Sequence, residues 1–263
     1  MDSSQPVTVR RFPGQRVEPD LVVTEEPLEL RVEGRSLAVT MRTPGHDREL
    51  AAGFLYTEGL LDGPDDLAAL RKVRDPADPR DNTLDAILAE GVRLDEARFA
   101  SAQRNTFASS ACGVCGKATL DNVMRSVPPL EAPLRADHEL LTRLPARMRQ
   151  AQQAFEATGG LHAAALFHSS GQLEVLREDV GRHNAVDKVL GWRLLQDRAP
   201  VDDRFLVVSG RVGFEIVHKA LVARVPVLAA VGAPSSLAVD LARRSGMQLV
   251  GFLRADTLNE YSP

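Results

Sequence analysis

Along the first third of the chain apolar and polar residues alternate; later, short continuous apolar runs are separated by segments of helical spacing. Leu28-Glu29-Leu30-Arg31-Val32 and Leu37-Ala38-Val39-Thr40-Met41 flank Glu33-Gly34, which predicts a β-hairpin. Asp47 is expected to cap a helix whose Leu50, Ala51, Phe54 and Leu55 share one face. A charged, proline-containing stretch from Asp62 to Arg80 precedes a predicted strand, Leu84-Asp85-Ala86-Ile87-Leu88. Residues 1–20, with Pro6, Pro13 and Pro19, read as a flexible tail, and residues 21–100 as a small α+β domain.

The second half has another rhythm. A helix from about Glu139 to Ala157 is expected to stop at Gly159-Gly160. Strands Leu161 to Phe167 and Leu173 to Leu176 follow, around Ser169-Ser170-Gly171. Then come helix Asn184 to Gln196 and strand Phe205 to Val208, helix Phe214 to Arg224 and strand Val227 to Val231, helix Ser236 to Arg244 and strand Leu249 to Leu253. Apolar strands alternating with helices of this length imply a largely parallel sheet covered on both faces. The order helix, strand, strand, then three helix–strand pairs is that of a cytidine-deaminase-like three-layer α/β/α domain, here residues 128–263. Residues 101–127 are read as a mobile loop carrying the only two cysteines, followed by a helix with apolar Leu120, Val123, Met124 and Val127.

Both cysteines lie in Cys112-Gly113-Val114-Cys115-Gly116-Lys117, too few thiols for a disulfide framework in 263 residues. Three readings compete. A zinc site needs two more ligands, and with no second cysteine pair His162 or His183 could complete a two-cysteine, two-histidine site. A thiol–disulfide redox pair needs a preceding strand, whereas Arg104-Asn105-Thr106-Phe107-Ala108-Ser109-Ser110 reads as a polar loop. Nucleophilic thiol chemistry fits best: Lys117, Arg104 and a following helix N-terminus all favour a thiolate, and the flanking glycines leave the sulfurs uncovered.

Composition narrows the class. With 44% apolar and 26% charged residues the chain is an ordinary globular one. A formal net charge of −4 argues against general nucleic-acid binding. No apolar run reaches the roughly 18 residues a membrane span needs. The N-terminal residues lack the basic-then-apolar pattern of a secretory signal, so reactive unpaired thiols are expected in a reducing cytoplasm.

In open α/β sheets ligands bind at the carboxyl ends of strands. There this chain places Ser209-Gly210-Arg211, Gly232-Ala233-Pro234-Ser235-Ser236 and Arg254-Ala255-Asp256-Thr257, hydroxyls, glycine and arginine suited to a phosphate or other anion. No Walker motif or GxGxxG is present, so a nucleotide is suggested only by this chemistry. His183, flanked by Arg182, Asn184 and the acids of Arg177-Glu178-Asp179, is favoured as a site residue. His162 is balanced between a site and a satisfied core histidine.

These segments together resemble the FdhD/NarQ family, sulfur carriers required to make active formate dehydrogenase. The resemblance rests on Met41-Arg42-Thr43-Pro44, Gly53-Phe54-Leu55-Tyr56-Thr57-Glu58-Gly59, Ser109 to Lys117, Thr158-Gly159-Gly160-Leu161-His162, Glu178 to Lys188, Ser209-Gly210-Arg211, Ala233-Pro234 with Leu237-Ala238, and Gly251-Phe252-Leu253-Arg254 with Tyr261. It runs in order from about residue 21 to the end. Ala111, where many members carry serine or glycine, and Ser235-Ser236, where threonine is frequent, are small departures.

The resemblance implies a cytoplasmic sulfurtransferase with a cysteine persulfide intermediate. A cysteine desulfurase would load sulfur onto Cys112, with Cys115 a supporting thiol. The sulfur would pass to the molybdenum of the Mo-bis(molybdopterin guanine dinucleotide) cofactor, bound as substrate, for formate dehydrogenase. The cofactor-binding residues expected are Ser209, Gly210, Arg211, His183 and the loop Phe252, Leu253, Arg254, Ala255, Asp256, Thr257, Leu258, Asn259. A homodimer is expected, with no structural metal and neither nucleic acid nor membrane as partner. The deaminase zinc signature is missing, because the cysteine pair precedes His162 and no His-x-Glu accompanies a downstream pair. The competing reading is a non-catalytic chaperone that binds the cofactor and hands it to the apoenzyme; it would tolerate loss of Cys112.

Overall fold

Why the chain folds as two larger linked sheets beside a two-stranded ribbon follows from where its apolar runs can hide. A computed structural model of the protein describes residues 3–74, 80–107, 128–131 and 133–263. Cys112, Cys115 and the expected helix around Leu120 to Val127 lie outside these residues. The first strands, β1 (Ser4–Arg11) and β2 (Arg16–Val23), pair antiparallel from Ser4↔Val23 to Arg11↔Arg16. This corrects the expectation of a loose tail over residues 1–20. In a two-stranded ribbon both strands are edges, so Pro6 and Pro19 are tolerated within it.

The expected hairpin forms from β3 (Glu26–Val32) and β4 (Arg35–Arg42), with Glu33 and Gly34 both at positive φ, 51° and 76°. Leu28, Leu30, Val32 and Leu37 are buried. Strand β5 (Leu67–Lys72) runs antiparallel to β6 (Thr83–Leu88), giving the order β4-β3-β6-β5. β5 falls inside the stretch from Asp62 to Arg80, where charge and proline hid it. Helix α1 (Asp47–Thr57) has His46, not Asp47, at its N-cap. The Asp47 carboxylate instead takes Nε and Nη2 of the buried Arg42 at 2.9 and 3.1 Å. Helix α2 (Glu96–Phe107) includes residues 104–107, expected to be loop.

The expected helix from Glu139 to Ala157 is two helices, α3 (His138–Ala151) and α4 (Gln153–Thr158). They part at Gln152, and the freed amides of Ala154 and Phe155 donate to the Glu178 carboxylate at 3.0 and 2.8 Å. α4 stops at Gly159, φ 68°, as expected. The second sheet holds β7 (His162–His168), β8 (Leu173–Asp179), β9 (Arg204–Val208), β10 (Val227–Ala230), β11 (Gln248–Gly251) and β12 (Asn259–Ser262). Its order is β12-β11-β10-β9-β7-β8. β9, β10 and β11 are parallel, while β7 is antiparallel to β8 and β9, and β12 to β11. Numbered within this half and without β12, the order is 2-1-3-4-5, the deaminase-like arrangement expected.

Helices α5 (Arg182–Leu195), α6 (Phe214–Val222) and α7 (Ser236–Ser245) cover one face, over Leu206, Val208, Leu228 and Leu249. On the other face Leu141, Leu144 and Met148 of α3 meet Phe167, Phe205, Val207 and Val250. The first face's core continues into Leu28, Leu30, Leu50 and Leu55, so both sheets share it. The link is the crossing of α1 and α5. A Cβ at Gly53 would lie 1.8 Å from the Asp187 carbonyl oxygen, and one at Gly191 1.9 Å from that of Glu49.

Candidate functional site

Parallel strands with right-handed crossovers send their carboxyl ends, and the helix starts that follow, to one edge of the sheet. The three loops expected there do meet, and their backbones are laced together. The Gly232 amide donates to the Gly210 carbonyl at 3.1 Å, and the Phe252 amide to the Gly232 carbonyl at 3.1 Å. Val212 donates to Ala233 and Ser235 to Val212 at 3.1 and 2.9 Å. A Cβ at Gly232 would lie 2.6 Å from the Gly210 oxygen, so only glycine permits this approach.

The predicted residues of the strand edge each have a place, while Cys112 and Cys115 lie outside the described residues. Ser209 joins β7 to β9: its Oγ accepts from the Ala163 amide and its own amide donates to the Ala163 carbonyl, both at 2.9 Å. Arg211 is exposed. His183 Nε2 lies 2.8 Å from Glu215 Oε2 at the start of α6. That contact, more than the opposing effect of burial, holds the Glu215 carboxyl below its ordinary range.

The C-terminal loop divides. Phe252 is 43% exposed and sits at φ 50°, a left-handed conformation that is uncommon for an aromatic residue. Ala255, Asp256, Thr257 and Asn259 are exposed. Leu253 is fully buried, and Leu258 packs on the same core cluster, so the side chains of these two belong to the interior rather than to the edge. Phe252 follows the last residue of β11 at this left-handed turn, and Leu253 after it is drawn inward, its amide donating to the Ala230 carbonyl at 2.9 Å. Arg254 closes its loop, its amide donating to the Thr257 carbonyl at 2.8 Å and its Nη1 to the Val231 and Leu253 carbonyls at 2.7 and 2.8 Å.

The corner between β8 and α5 carries residues that sequence reasoning undervalued. Asp179 is fully buried and accepts from Lys188 Nζ at 2.7 Å, the Gly181 amide at 2.8 Å, Asn184 Nδ2 at 3.0 Å and the Thr43 amide at 3.2 Å. This fixes the start of α5, which bears Arg182 and His183. His162, at the start of β7, lies against Gly210: a Cβ there would be 3.2 Å from its Nδ1 and 3.9 Å from the Arg182 Cβ. Burial, then the positive charges of Arg182, His183 and Arg211, push the His162 imidazolium below its ordinary pKa. The signal available was topological. β7 runs antiparallel to β9, so the residue that starts β7 stands beside the residues that end β9. Among the described residues no group of three or more His, Cys, Asp and Glu side chains could hold a metal ion.

The deaminase-like sheet order, with helices on both faces and polar loops at the carboxyl edge, defines the class as a mixed α/β protein. Comparison makes the assignment particular: the chain belongs to the FdhD/NarQ family, whose profile matches residues 23–263. A protein of Mycolicibacterium paratuberculosis named sulfur carrier protein FdhD is 50% identical over 251 residues, covering 93% of this chain and 90% of its own length. A protein of the same name from Streptomyces avermitilis is 50% identical over 250 residues, covering 93% and 88%. The crystal structure of a candidate formate dehydrogenase accessory protein from Desulfotalea psychrophila superposes with a TM-score of 0.74 over 99% of this chain and 96% of that one. At 24% identity that match speaks to the fold.

Proposed function

We propose that this protein is a cytoplasmic sulfur carrier that takes persulfide sulfur from a cysteine desulfurase and delivers it to Mo-bis(molybdopterin guanine dinucleotide) for formate dehydrogenase. The observation that carries the reading is its half-identity, over nine-tenths of the chain, to proteins named sulfur carrier FdhD. The cysteine pair agrees with it, being the chain's only thiols and set among small and basic residues. In the loading step the Cys112 thiolate attacks the terminal sulfur of the desulfurase persulfide. The bond between that sulfur and the desulfurase cysteine breaks, its thiolate leaves, and Cys112 carries the persulfide with no net oxidation. The strand edge supports the cofactor half of the reading, because laced loops with arginine and hydroxyl groups suit the nucleotide ends. No described helix is long and apolar enough to cross a membrane. The reading includes a homodimer.

Intact mass spectrometry after exposure to a desulfurase and cysteine tests it. One added sulfur, removed by reductant and absent from Cys112→Ala, is expected; that variant should also fail to mature formate dehydrogenase, while Cys115→Ala retains part of the activity. Full maturation by Cys112→Ala would replace the carrier with a cofactor-handing chaperone.

A further inference from the structure

The ribbon of β1 and β2 almost entirely precedes the residues matched by the family profile, which start at residue 23. A two-stranded ribbon is marginal in water unless something packs on it. This one is open. Pro6, Thr8, Arg10, Val17, Pro19 and Leu21, which alternation and register place on one face, are all exposed. Four of the eight large apolar side chains exposed among the described residues belong to the ribbon or its tip: Phe12, at 72%, Val17, Leu21 and Val22. Charge is sorted between the two faces. Glu18 and Asp20 stand on the opposite face, where both pair with Arg11. The open face holds no carboxylate, and its Arg10 makes no ion pair and no side-chain hydrogen bond among the described residues. At the base the Thr24 amide donates to the Ser3 carbonyl at 2.9 Å, and a Cβ at Gly160 would lie 3.5 Å from Val23 Cγ1. Gly160 stands two residues before the start of β7, so the ribbon is rooted beside the carboxyl edge of the second sheet.

We infer that the open face of this ribbon is a docking arm for formate dehydrogenase, its apolar stripe and Phe12 seated in an apolar groove of that enzyme and Arg10 against a carboxylate there. The inference rests on the proposed delivery to formate dehydrogenase and adds the surface that makes the contact. Charge, size and position choose this occupant over a second copy of the chain. An unpaired guanidinium on a face without acids calls for an acidic partner, and arginine and aromatic side chains are the usual anchors of such contacts. Eight residue pairs make a face roughly 27 Å long and 10 Å wide, about 300 Å², against about 800 Å² per partner in a stable interface. A contact of that size forms and releases, as a carrier that delivers and leaves requires. Its root adjoins the edge from which the proposed cofactor is handed on. Because the arm lies outside the profile, it matches this chain to its own acceptor and takes no part in chemistry common to the family.

Biolayer interferometry of the intact protein on purified, cofactor-free formate dehydrogenase, at low and high salt, tests this, with sulfur loading from a desulfurase measured in parallel. Phe12→Ser and Leu21→Ser should each weaken binding about tenfold or more, whereas Val22→Ser, a like change on the opposite face, should not. Arg10→Glu should weaken it further than Arg10→Ala, and salt should weaken wild type more than Arg10→Ala. Every variant should accept sulfur as wild type does. Thermal melting checks folding; should Leu21→Ser unfold, the Arg10 variants and the salt comparison still read the face. Unchanged affinity in both Phe12→Ser and Leu21→Ser, or an equal loss in Val22→Ser, overturns the docking face. Variants that lose a dimer yet keep their affinity for formate dehydrogenase would assign the ribbon to a second copy, and loss of sulfur loading alone would assign it to the desulfurase. Either result overturns the inference and leaves the proposed delivery standing. Wild type that carries sulfur but has no affinity for formate dehydrogenase overturns that delivery as well.

Discussion

Asp179 illustrates how one side chain decides the placement of several others. Its fully buried carboxylate is surrounded by the Lys188 ammonium, two backbone amides and the Asn184 amide, so its charge is matched and its lone pairs are used. Thr43 adds a second tie, its Oγ1 accepting from the Val180 amide at 3.1 Å while its carbonyl accepts from Lys188 Nζ at 2.9 Å. The loop after β4 and the start of α5 are thereby fixed to each other, and Arg182 and His183 are held at the edge. Removing one member of a buried pair leaves the other charge uncompensated, at a cost of about 3–5 kcal/mol. Asp179→Ala and Lys188→Met should therefore each lower the urea-unfolding free energy by about that much. The double variant should cost well under their sum, because the two losses are one interaction. Additive losses would show that the two residues act separately.

At the scale of elements, the crossing of α1 and α5 is the joint of the molecule. Gly→Ala in a helix normally gains about 1 kcal/mol from propensity. Here the added methyls would fall within 2 Å of carbonyl oxygens on the opposite helix, which moves only if the helix axes separate. Gly53→Ala and Gly191→Ala should each destabilise by at least about 3 kcal/mol, measured by chemical denaturation, with lowered thermal midpoints. A gain in stability would mean that the helices do not approach so closely. The sequence showed the helices themselves, because Leu50, Ala51 and Leu55 on one and Val186, Val189 and Leu190 on the other recur at helical spacing. It also showed the second sheet, whose middle strands are buried on both faces and so read as continuous apolar runs. Less legible were elements whose residues face water: the hairpin of β1 and β2, β5 and β12, each an edge with mixed polarity, and α2. The candidate site followed the same division. Loop residues at strand ends could be placed from topology, whereas Leu253 pointing inward and His162 reaching Gly210 depend on the left-handed turn at Phe252 and on an antiparallel neighbour, neither of which spacing specifies.

Across the whole molecule, charges join the half that carries the first sheet to the half that carries the second. Arg177 of β8 donates from Nη2 to Glu49 of α1 at 2.8 Å. Lys219 of α6 lies 3.0 Å from Asp187 of α5 and 3.4 Å from Glu58, with its Nζ donating to Thr57 Oγ1 at 2.8 Å. Burial alone would pull the Lys219 ammonium down, but the Asp187 and Glu58 carboxylates outweigh it and leave its pKa raised. Among the carboxylates of these ties, burial pushes Asp187 up, whereas Glu49 is held down. Burial raises its carboxyl, yet the hydrogen bonds to Arg177 and His46 and their charges prevail, leaving it below its ordinary value of 4.5. A depressed carboxyl contributes stability that is fully present above its unfolded-state pKa and is lost as pH falls through the folded-state value. Glu49→Gln should thus be less stable than wild type near neutrality, by roughly 1–3 kcal/mol for a charge-assisted bond. The gap should hold from pH 7 down to the ordinary carboxylate range and close below it, because at low pH both proteins carry a neutral group at residue 49. Urea midpoints collected from pH 7 to pH 3 measure this directly. A gap that stays constant to the acid limit would mean that the Gln side chain disturbs packing between α1 and β8, and that the ion pair contributes nothing to holding the halves together.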